Sequence, residues 1–83
     1  MIKVKSIGYQ KDNVAVTVEY SLENETHSFT VYAKLSQIYK MSEKDVKEYI
    51  TERVDSERRN KLRDMVEAKL DTLIDVDIEE EAV

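Results

Sequence analysis

Over residues 42–75 the chain has neither glycine nor proline, yet its apolar residues fall into two stripes that one straight helix cannot bury together. At about 100° per residue, Val46, Tyr49, Ile50 and Val54 share one face. Leu62, Met65, Val66, Leu70, Leu73 and Ile74 share another, roughly 170–180° away. Length sharpens the conflict. A continuous helix over this span runs on the order of 50 Å, whereas a compact domain of this size spans about 30 Å.

Two solutions follow. In one, the chain bends within 55–60, in the polar stretch RVDSERRN, and two shorter helices both pack inward. Asp55 or Ser56 would cap the second, although Arg58 and Arg59 oppose the positive end of a helix starting there. In the other, the rod is continuous and its far half projects toward another chain. Burial favours the bend. Local propensity favours continuity, since Glu, Arg and Lys are good helix formers. Either way a surplus apolar stripe is expected.

The first half reads as strands. Residues 2–9 alternate Ile2 and Val4 with Lys3 and Lys5. Residues 14–22 place Val14, Val16, Val18, Tyr20 and Leu22 on one face. Residues 27–35 turn Phe29, Val31, Ala33 and Leu35 inward. The connections 10–13 (QKDN) and 23–26 (ENET) suit hairpins. Tyr20 and Tyr49 should lie inward with their hydroxyls at the rim, and Tyr9 and Tyr32 on the other face beside Ile7 and Lys5.

A short turn around Leu35, Ile38 and Tyr39 then leads to a helix start at Ser42, marked by Glu43 and Asp45. Ile74, Val76 and Ile78 alternate with acids, so 74–78 reads as a fourth strand or as a helix end. The expected fold is α+β: a three-stranded antiparallel β-meander followed by one long or two shorter helices, with that optional strand. One domain should cover 1–78, with the meander over 1–35 and the helical part over 42–75. An acidic tail, 79–83, follows.

At 83 residues the chain can bury only a little over ~60% of its unfolded surface. With no cysteine, disulfides and thiolate metal sites are excluded. Oligomerisation is the remaining common remedy, and a homodimer is the expected form. No stretch approaches the ~20 apolar residues of a membrane span, so a cytoplasmic protein without membrane contact is expected.

The net charge of −5 is uneven. Residues 1–70 carry 13 basic and 12 acidic side chains; Asp71, Asp75, Asp77, Glu79, Glu80 and Glu81 follow with no basic residue among them. Asp75, Asp77 and Glu79 have the spacing of some calcium loops but lack the turn glycine and the distant bidentate glutamate. They read as a solvated acidic end, and no metal or cofactor is expected.

Catalysis would rest on His27, the single histidine, which reads as an exposed hairpin residue. No catalytic residue is assigned, and an enzyme is not expected. Arg58, Arg59, Lys61 and Arg63 form a basic cluster able to contact anions. Interleaved Glu57, Asp64 and Glu67 make helical ion pairing the plainer account. The cluster could instead receive the acidic tail of a neighbouring subunit, which would set register.

The expected function is a non-enzymatic protein–protein interaction module that self-associates through Leu62, Met65, Val66, Leu70, Leu73 and Ile74. Two alternatives stay open. One is an inhibitor, of phage or mobile-element type, whose Asp75, Asp77, Glu79, Glu80 and Glu81 mimic phosphate. The other is a nucleic-acid-associated protein using the 58–63 cluster, although nucleic acid is not the favoured partner.

Overall fold

The structure, a computed structural model, describes residues 1–80. Three antiparallel strands, β1 (Ile2–Gln10), β2 (Asn13–Leu22) and β3 (Glu25–Lys34), form one sheet in the order β1-β2-β3. A short helix α1 (Leu35–Tyr39) leads into α2 (Glu43–Asp71). The α+β meander read from the periodicity is the fold observed.

Both hairpins turn without glycine. Lys11, Glu23 and Asn24 take positive φ values of 52°, 49° and 66°. Asn tolerates this conformation, and consecutive positive φ angles at 23 and 24 match the right-handed twist of the flanking strands. Leu35 does not continue β3 inward. It opens α1, where its backbone N–H donates to the Asp12 carbonyl at 2.8 Å and ties the helix to the first hairpin.

The 42–75 conflict resolves as a rod. Helix α2 runs unbroken for 29 residues, about 43 Å. Ser42 caps it, its hydroxyl accepting from the Asp45 N–H at 3.1 Å. Glu43 and Asp45 lie in the first turn and Lys69 in the last, each favourable to the helix dipole. Thus the bend within 55–60 does not form, nor does a helix capped by Asp55 or Ser56. The molecule measures 61 × 24 × 19 Å.

The core is small because only the first half of α2 has a sheet beneath it. Val54 is fully buried with Val18 and Tyr20, and Ile2, Val16, Leu22, Phe29 and Ile50 pack around them. Arg58 closes this end. Its Nε donates to the Ser21 carbonyl at 3.1 Å and its Nη2 to the Met1 carbonyl at 3.3 Å. Its Nη1 pairs with Asp55 at 3.0 Å, and its guanidinium sits 5.7 Å from the centre of the Tyr20 ring. Carbonyls at the sheet end and an aromatic face thereby receive one cation.

The fourth strand is not present among the described residues. The helix ends in turns over 72–75, and Asp75 takes a left-handed φ of 63° that redirects the chain. This takes Ile74 out of the extended alternation, and 76–80 continue without regular structure. Glu81, and the tail beyond it, lie outside the described residues. Among those described, no helix is long and apolar enough to cross a membrane.

Val54 is the sole buried residue of α2. Truncating it with Val54→Ala should lower the unfolding free energy by about 2 kcal/mol, read as a lower urea midpoint at unchanged slope.

Candidate interaction site

Two apolar surfaces remain open. The first is the far half of α2. Beyond Arg58, which touches the end of the sheet, the helix continues 13 residues, about 20 Å, all of them exposed except the half-buried Lys61 and Met65. Leu62, Val66 and Leu70 are exposed along it at 43%, 46% and 57%, with Leu73 and Ile74 exposed after them. Met65 is half-buried. The structure therefore leaves five of the six stripe residues open to solvent and partly covers the sixth.

The direction of this stripe follows from helical geometry. Counting from Val54, Arg58 lies about 40° round the helix, and Leu62, Val66 and Leu70 lie about 80°, 120° and 160° round in the same sense. Arg58 reaches Met1, beside the start of edge strand β1. The stripe thus opens toward the β1 side of the molecule.

The second surface is a groove of about 550 Å³ between the sheet and the helices. Val4, Ile7 and Tyr9 of β1 wall it on one side, Val46, Tyr49 and Ile50 of α2 on the other. Ile7 and Tyr9 were expected on the opposite face. A register shift between Val4 and Ser6 makes Lys5 an extra residue, so Ile7 pairs with Val16 and Tyr9 with Val14. One inserted residue inverts every side chain beyond it. The same shift separates Tyr9 from Tyr32, which pairs with Ala15 on the outer face. Strict alternation from Ile2 hides this, and the apolar Ile7 and Tyr9 were its only sequence signal.

The outer face is polar. Lys5 pairs with Glu19 at 3.2 Å, and the Thr17 and Thr30 hydroxyls lie 3.3 Å apart. Lys3 stands opposite Glu19 on that face.

The basic cluster is divided. Arg58 is occupied within the chain, Arg59 donates to Ser56 at 3.2 Å, and Arg63 pairs with Glu67 at 2.9 Å. Lys61 is half-buried. The acids Asp75, Asp77, Glu79 and Glu80 are exposed. Among the described residues, no group of three or more His, Asp or Glu side chains is placed to hold a metal ion.

His27 is not the exposed hairpin residue expected. It faces Tyr20 across the ladder and stacks on it with ring centres 5.6 Å apart, its side chain 16% exposed. The Tyr20 hydroxyl does not reach the rim. It and His27 Nε2 are buried without a hydrogen-bond partner among the described residues. Tyr49 behaves as expected, its hydroxyl donating to the Tyr32 carbonyl at 3.4 Å.

No protein-family model, curated protein or solved structure matches this chain.

Burial, and then the nearby Glu57 carboxylate, raise the Tyr20 hydroxyl above the ordinary tyrosine value, while Arg58 opposes them. The folded chain therefore holds this proton more tightly than the unfolded chain. The associated stability is intact below pH ~10 and is lost as pH rises toward the folded-state value. Urea titrations between about pH 9 and 11 should show stability falling, with a shallower fall in Tyr20→Phe.

Proposed function

We propose that this protein is a non-enzymatic assembly module that forms a homodimer through the projecting half of α2. The observation that carries this reading is the exposed row Leu62, Val66 and Leu70 on the half of α2 that projects past Arg58. Exposed apolar rows of this kind are what packed helices bury against each other.

Charge selects an antiparallel arrangement. A parallel pair would set the 58–63 cations of one helix beside those of the other. An antiparallel pair centred on Val66 puts Leu62 opposite Leu70 of the second copy. Arg58 and Arg59 then lie near the acidic end of the neighbour, and opposite charges at matching positions set register.

The same exposed acids support the phosphate-mimic alternative, and salt separates the two. An apolar helix pair should survive high salt, whereas a phosphate mimic should lose its partner. Nucleic-acid contact has the least support, because Glu57, Asp64 and Glu67 are interleaved with the 58–63 cations and Arg63 pairs with Glu67.

Light scattering on the full-length chain should give twice the monomer mass at micromolar concentration. Val66→Asp with Leu70→Asp should weaken self-association by at least ~100-fold, since each buries an unpaired charge. Circular dichroism should show the fold retained. A wild-type chain that stays monomeric at ~100 µM, a free energy near −5.5 kcal/mol, would remove this reading.

A further inference from the structure

We propose that residues 76–80 of the second copy add to the free edge of β1 as a fourth strand in trans. This rests on the antiparallel dimer of the preceding section and names where its tail goes.

Four observations converge on this site. First, β1 is an edge strand, and its apolar side is uncovered: Val4 and Ile7 are about half exposed and Tyr9 is 73% exposed. Second, 76–80 reads VDIEE, which in extended form puts Val76 and Ile78 on one face and Asp77 and Glu79 on the other. Both apolar side chains are exposed. Third, the faces of β1 match this division. Ile2 and Val4 lie on its inner face, while Lys3 and Lys5 lie on the outer one beside Glu19. Strand addition would set Val76 and Ile78 beside Ile2 and Val4, and Asp77 and Glu79 beside Lys3 and Lys5. Edge lysines and a bulge ordinarily deter pairing, so an acidic strand is the kind that this edge admits.

Fourth, reach makes the contact intermolecular. The tail leaves its own helix about 20 Å beyond Arg58, the residue that touches Met1. Returning that far takes at least ~6 extended residues, and only 72–75 intervene, themselves in turns. In the antiparallel dimer the distance closes. Ile74 of one copy falls opposite Arg58 of the other, and Arg58 touches Met1 at the start of β1. The stripe faces the β1 side, so the tail arrives at the correct edge. There the left-handed Asp75 turns it off the helix axis. It would run parallel to β1 from Ile2 toward the bulge.

The chain has no cysteine, so introduced thiols report contacts without background. Full-length Lys3→Cys and Asp77→Cys chains are mixed, unfolded, refolded together and oxidised. Glu25→Cys, at the far edge of the sheet, replaces Lys3→Cys in the control mixture. The expected result is a disulfide-linked heterodimer of Lys3→Cys with Asp77→Cys, at least ~10-fold more abundant than in the control, because paired strands bring these positions within disulfide range. Light scattering before oxidation reports dimerisation separately. A dimer whose cross-linking equals the control overturns the strand addition and leaves the helix pairing standing. A monomer overturns both.

Discussion

The contact of Val54 with Val18 and Tyr20 is the point at which the helical half of this chain is held to its sheet. It lies near the middle of α2, so the segment before it covers strands, whereas beyond Arg58 the helix leaves its apolar row exposed. Arg58 reinforces the contact one turn later by bridging the Met1 and Ser21 carbonyls over the Tyr20 ring. With the helix anchored there and pointing off the end of the sheet, the direction of everything from Leu62 onward is decided. A continuous backbone cannot return Leu62, Val66 and Leu70 to a core this short. The exposed stripe is a consequence of where the anchor sits.

A second constraint acts on the other surface. The extra residue at Lys5 changes which side of β1 faces the helices. Without it, Ile7 and Tyr9 would join Tyr32 on the polar face, and the groove beside α2 would lose one wall. With it, the inner face carries apolar residues along its whole length, while α2 covers only part of it. Lys3 and Lys5 are left together on the outer face of an edge strand. The molecule therefore presents an apolar edge with cationic flanks at one place, and an apolar tail with anionic flanks at another. The net charge of −5 conceals this division.

His27, Tyr20 and Arg58 show how a small core accommodates polar groups. The imidazole stacks on the phenol ring and the guanidinium sits near the ring's centre, so the polar side chains supply the packing. Burying the Tyr20 hydroxyl without a partner carries a desolvation penalty. The large apolar ring offsets it through the surface it removes from water.

The strands, both hairpin connections, the Ser42 cap and the inward rows on β2 and β3 were legible in the sequence. Each depends on neighbours two to four residues apart, and local periodicity reports those directly. The surplus stripe was legible too, because counting apolar positions around a helix needs no tertiary information. What required the folded molecule was long-range. Competition between propensity and burial over 55–60 is decided in favour of propensity, the helix running unbroken although part of the sheet's inner face stays uncovered. The sides taken by Ile7 and Tyr9 depend on a pairing offset with β2, and the covering of His27 depends on Tyr20 across the ladder. Of the two readings left open for 74–78, strand or helix end, the folded chain takes turns over 72–75 with a left-handed Asp75, a backbone choice that the alternation of apolar and acidic residues does not report.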